Sequence, residues 1–163
     1  MIELNNRFVC SVGFPLQCPN HERPSRLSLK LAQDFIHTFH ENILKMDYHR
    51  TIHCSVAIAS GELEGFFTRG FPIEYHLHGE PLIKADQINE ISKQARKNGL
   101  LEGSTIVIQD RVYNSLSSEE RPSFTAIEWT SRLTLQSDSN HSQKLYYQRV
   151  RYQDELLDER NSA

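Results

Sequence analysis

The chain has 163 residues, of which 38% are hydrophobic and 24% charged, with a formal net charge of −3. These values suit one globular domain with a real core and offer no global attraction to nucleic acid or anionic lipid. No apolar run approaches the roughly 20 residues that span a bilayer. The N-terminus, MIELNNRF, lacks the charged-then-apolar layout of a signal peptide. Cys10, Cys18 and Cys54 are odd in number and irregular in spacing, which points to reduced thiols in a cytoplasmic protein.

Arg7 to Pro15 reads as a strand ended by Gly13 and Pro15. Residues 16–24, with prolines at 19 and 24, read as a loop. From Ser25, a capping residue, Leu27, Leu31, Phe35 and Phe39 follow a four-residue step, widened by Ala32, Ile36 and Ile43. This predicts an amphipathic helix laid on a sheet and ending near Met46. Val56-Ala-Ile-Ala59 is an apolar strand that turns at Gly61, and Phe71 to His78 is a second extended segment. A second helix spans Leu82 to Lys97, with Ala85, Ile88, Ile91 and Ala95 on one stripe and Asn98-Gly99 as its stop. Ser104-Thr-Ile-Val-Ile108 is a buried-strand run, and Asp110 opens a short helix to Leu116. Phe124–Trp129, Arg132–Leu135 and Lys144–Val150 read as further strands. A charged tail, 151–163, follows the 1–150 domain.

Three strings carry more than a scaffold: Ala57-Ile-Ala-Ser-Gly-Glu62, Tyr75-His-Leu-His-Gly-Glu80 and Leu82-Ile-Lys-Ala-Asp-Gln-Ile88. Together they resemble the signature region of the class III nucleotidyl cyclases, the adenylate and guanylate cyclase family. There a strand ends in a motif like GIHTGE, a strand like YxVxGD follows a hairpin, and a helix begins VNxAxRL. Gln109 to Leu116 resembles the family's S-x-x-V/T-Y-x-x-L turn. Phe8, Val12, Gly13 and Pro15 resemble its fvavFGxP strand, which places Asn5-Asn6 at a GD pair. The resemblance covers roughly residues 3–150 and is strongest over 53–116.

The resemblance implies an α/β (α+β in stricter usage) fold, with a ferredoxin-like, mostly antiparallel sheet and helices over one face. It also implies that the leading strand and helices of the full domain are absent. In the family, two carboxylates hold two divalent ions, an asparagine orients the ribose, and an arginine stabilises transition-state charge. Carried over, the first aspartate lies outside the chain and the second falls on Asn6, whose amide is a poor ligand for a hard cation. The asparagine falls on Ile83 and the arginine on Gln87, which has no charge and no bidentate fork. The base-reading position falls on His76 and the purine lysine on Ile2. The glycines of the scaffold survive while its chemistry does not.

The expectation is therefore a catalytically degenerate cyclase-like module acting in nucleotide signalling through dimerisation or regulatory association. It has no catalytic residue and no metal or cofactor of its own. Its partner is a second copy or a cyclase-like chain, with nucleotide as a possible ligand. Phe66 and Phe67, beside Glu62 and Glu64 at the hairpin mouth, are the candidate interface, against ordinary hydrophobes folded over the sheet. One alternative is a cyclase completed by an upstream segment or partner, using Mg²⁺ or Mn²⁺. Another is a nucleotide sensor without turnover. His76 and His78 share a strand face and His53 could lie on the neighbouring strand. That spacing permits zinc without demanding it, and no Cys or carboxylate completes a set. Adjacent residues point to opposite faces, so His53 and Cys54 do not make a nucleophile–base pair.

Overall fold

A computed structural model describes residues 2–4, 7–15, 23–45, 52–127 and 144–151. Asn5-Asn6, Cys18, the 132–135 strand and the tail beyond residue 151 lie outside the described residues.

In chain order the strands are β1 (Ile2–Leu4), β2 (Arg7–Val9), β3 (Ser55–Ile58), β4 (Glu64–Phe67), β5 (Tyr75–His78), β6 (Ser104–Gln109), β7 (Thr125–Ile127) and β8 (Leu145–Val150). The helices are α1 (Pro24–Lys45), α2 (Glu80–Lys97) and α3 (Asp110–Ser115). The fold is mixed α/β, and its strand pairs are mostly antiparallel.

β6 is the strand on which the rest is assembled. Its β-branched run, Thr105-Ile-Val-Ile108, suits a pleated, fully buried strand, and all six of its residues are buried. It pairs in parallel with β3 and antiparallel with β8, which in turn pairs antiparallel with β7, giving the order β3-β6-β8-β7. Two smaller antiparallel hairpins, β1–β2 and β4–β5, stand apart from this sheet.

The two faces of β6 meet different helices. Ile106 and Ile108, with Ile58 of β3, pack against Leu29, Ala32 and Ile36 of α1 and Val112 of α3. Val107, with Leu145 of β8, packs against Ile88 and Ala95 of α2. Successive strand residues point to opposite faces, so the helices cover both faces of the sheet. This corrects the expectation of helices over one face. An uninterrupted apolar run, unlike an alternating one, needs cover on both sides.

Three local expectations are also revised. The first strand ends at Val9, because residues 12–15 bend around Gly13 (φ 80°) and Ser11 Oγ donates to the Phe14 carbonyl at 3.2 Å. The Glu64–Phe67 segment is a strand, β4, rather than only a turn mouth. Helix α1 turns Leu29, Ala32 and Ile36 to the sheet, while Leu31 and Phe35 of the expected stripe stay 44% and 38% exposed. The expected stripe is therefore split: Ala32 and Ile36, which widened it, face the sheet, while Leu31 and Phe35 do not.

Helix α2 starts two residues before the expected Leu82. Gly79 leads into it and Pro81 occupies its first turn, where a missing N–H costs nothing. It stops at Asn98-Gly99, where Gly99 (φ 72°) lets the Leu100 N–H return to the Ala95 carbonyl at 2.9 Å.

Candidate functional site: the β4–β5 hairpin and the start of α2

The hairpin joins β3 to α2 and is closed by a double contact. The Thr68 N–H donates to the Glu74 carbonyl and the Glu74 N–H to Thr68 Oγ1, each at 2.9 Å. The register sets Glu64 opposite His78, Phe66 opposite His76 and Phe67 opposite Tyr75. Phe66 stacks on His76 with ring centroids 5.6 Å apart, and Phe67 tilts against Tyr75 at 4.9 Å. These cross-strand pairs are the local reason the hairpin holds.

Among the described residues, no helix or sheet layer covers β4. All four residues of β4 are exposed. Phe66 and Phe67 are 53% and 67% exposed, and Phe71 and Ile73 in its loop are 99% and 69% exposed. The alternative in which the two phenylalanines fold back over the sheet is therefore not what the structure adopts. Phe71 and Ile73 extend the patch beyond the two residues expected. Their signal in the sequence was two apolar residues around a proline in a loop, Phe71-Pro-Ile73.

At the base of the hairpin a cleft of about 430 Å³ is lined by Glu62, Glu64, His78, Gly79, Glu80 and Arg111. Lys84 holds the Glu80 carboxyl below its ordinary value, mainly through a hydrogen bond and also by its charge; Arg111 adds a smaller Coulombic pull. Three carboxylates around one arginine suit cationic or hydrogen-bond-donating groups, and they repel a triphosphate that brings no metal with it. Arg111 comes from α3, far along the chain, so no local pattern could have placed it here.

The positions inherited from the cyclase resemblance lie close by. His76 is exposed on β5, with Nε2 3.2 Å from Glu74 Oε2. Ile83 is 57% exposed in the first turns of α2, and Gln87 follows one turn later, half-buried. Neither side chain can replace the group that the resemblance places there. Asn6 falls outside the described residues.

The three histidines do not converge. β5 pairs with β4, and β3 with β6, so His53, which precedes β3, is not on the strand beside His76 and His78. Among the described residues no group of three His, Cys, Asp or Glu side chains is placed to hold a metal ion. Burial pushes the Cys54 thiol above its usual value, with Arg96 opposing in part. A reactive cysteine needs the opposite shift.

No family model, curated protein or solved structure matches the chain. No helix among the described residues is long and apolar enough to cross a membrane.

Proposed function

We propose that the chain is a catalytically silent member of the class III cyclase fold, ferredoxin-like at its core, that acts in cytoplasmic nucleotide signalling by association. The hairpin β4–β5 and the exposed Ile83 at the start of α2 form the docking surface. Its partner is a second cyclase-type domain, in the first place another copy of this chain.

The observation that carries this reading is the exposure of Phe66, Phe67, Phe71 and Ile73 on one hairpin. Scattered exposed hydrophobes are ordinary, but four large ones on one hairpin, with Phe66 and Phe67 on its two faces, support an interaction site there. Aromatic residues are enriched in interfaces, and burying the surface that Phe66 and Phe67 still expose contributes about 1–2 kcal/mol each. The loss of the ribose asparagine at Ile83 and of the arginine at Gln87 supports silence in catalysis.

Two assays separate this reading from its rivals. The purified chain is incubated with ATP or GTP and Mn²⁺ or Mg²⁺, and cyclic product is sought; product formation favours a cyclase completed in trans. Thermal shift with the same nucleotides tests a sensor, since ligand at 100 times its dissociation constant adds about 2.7 kcal/mol. The association reading expects neither product nor shift.

A further inference from the structure

We infer that two copies of this chain dock hairpin to hairpin in opposite directions, so that Arg69 at the tip of each meets Glu62 and Glu64 at the base of the other. This arrangement rests on the association reading above and gives that contact an orientation and its charged pairs.

The hairpin carries unlike charges at its two ends. At the base, Glu62, Glu64 and Glu80 line the cleft of about 430 Å³. Lys84 and Arg111 act on Glu80, Lys84 through an ion pair. Glu62 and Glu64 are exposed and, among the described residues, form no ion pair. At the tip, Arg69 is exposed and, among the described residues, likewise has no carboxylate partner. The other charge there, Glu74, is turned onto His76, with Oε2 3.2 Å from Nε2 of the ring. The stretch from Glu64 to Arg69 spans up to about 17 Å of extended chain. The cation and the carboxylates therefore sit at opposite ends of one arm and do not meet within it.

A second copy reversed along the same arm answers both ends. The midpoint between Glu64 and Arg69 falls between Phe66 and Phe67. A two-fold axis there places each Arg69 beside the other copy's carboxylates and keeps the apolar residues at the centre. An apolar middle with a polar rim is the usual anatomy of a protein interface. The register also selects the face. Glu64 and Phe66 share one with His76 and His78, whereas the other face at Gly65 is filled by Tyr75 and Phe14. Docking in the same direction sets Arg69 against Arg69 and carboxylates against carboxylates, and like charges across an interface select against that arrangement. The reversed contact is isologous, forms the charged pair twice, and closes as a dimer.

The test is sedimentation equilibrium on the full chain. Arg69→Glu in one variant, and Glu62→Arg with Glu64→Arg in another, should each weaken the dimer about tenfold, since each sets like charges together twice. All three positions are exposed, so far-UV circular dichroism should not change. An equimolar mixture of the two variants should recover the wild-type dissociation constant as a heterodimer, because the tip of each then faces a base of opposite charge. Only a contact between chains gives that recovery. Variants that dimerise as tightly as wild type, or a mixture no tighter than either variant alone, overturn the inference. Failure of the hairpin reading itself looks different, and the inference falls with it: wild type is then monomeric, or Phe66→Ser with Phe67→Ser leaves the mass unchanged.

Discussion

Tyr75 lies across the backbone of Gly65 on the facing strand, so closely that a Cβ at position 65 would overlap the phenol oxygen. The Phe14 ring closes the same space from the other side, 3.0 Å from where that Cβ would sit. A glycine in the middle of a strand normally weakens it, and here it admits an aromatic ring.

Gly65→Ala therefore displaces Tyr75 and with it the contact to Phe67. Overpacking of this kind costs about 1–3 kcal/mol. Because the hairpin stands outside the main sheet, the loss is expected to be local. Far-UV circular dichroism of the variant should match wild type while its self-association weakens. A variant that associates as strongly as wild type would show that the hairpin's shape does not matter.

The orientation of α1 gives a sharp contrast in stability. Ile36 is fully buried against the sheet, whereas Leu31 and Phe35 on the neighbouring arc are exposed. Ile36→Ala should cost about 2–5 kcal/mol. Leu31→Ala and Phe35→Ala, measured by urea unfolding in dilute protein, should each cost about 1 kcal/mol or less. Equal costs at positions 31 and 36 would mean that the Leu31 side of the helix is packed as well and would contradict the observed orientation.

Cys54 makes stability fall with alkali. Burial raises its thiol pKa in the folded state, so the folded chain holds that proton more tightly than the unfolded chain. Its contribution is complete below the unfolded thiol value of about 8.5 and is lost as pH rises through the folded value. Tyr146, raised by burial and by its hydrogen bond to Asp110, adds a decline of the same sign above about pH 10. Unfolding free energies should drop above about pH 8.5, and Cys54→Ser should flatten that first drop. Near neutral pH, iodoacetamide should modify the exposed Cys10 well before Cys54. Equal rates at the two thiols would contradict the half-buried placement of Cys54.

Catalysis is not expected to be recoverable by local repair. Ile83→Asn together with Gln87→Arg restores the two helix positions that the cyclase resemblance identifies, but leaves Asn6 where a metal carboxylate is needed. The double variant should form no cyclic nucleotide from ATP or GTP with Mn²⁺ or Mg²⁺. Product from the double variant alone would show that the metal site is supplied by residues not considered.

Much of the fold could be read directly. β6 announced itself through Thr105-Ile-Val-Ile108, and α2 through its stripe and its Asn98-Gly99 stop. The errors share a physical origin, since periodicity finds an apolar face but not what covers it. On α1 the expected stripe was wide enough to hold both Leu31 and Phe35, which stay exposed, and Ala32 and Ile36, which are buried, and only the sheet's position chooses between its two edges. The two-sided cover of β6 was implicit in its lack of alternation and was missed in favour of a one-faced arrangement. At the hairpin, Phe66 and Phe67 were legible as aromatic residues near a turn, while their exposure depended on how the other elements pack, which no local pattern encodes. The cleft drew Arg111 from α3, a long-range placement that no local spacing encodes.

The central claim is that this chain works by association through the β4–β5 hairpin, and light scattering of the wild type beside the Phe66→Ser, Phe67→Ser variant tests it most directly. At tens of micromolar the wild type should be larger than a monomer, and the variant should fall to half its mass or less while keeping its circular dichroism spectrum. A monomeric wild type, or two proteins of identical mass, would contradict the account.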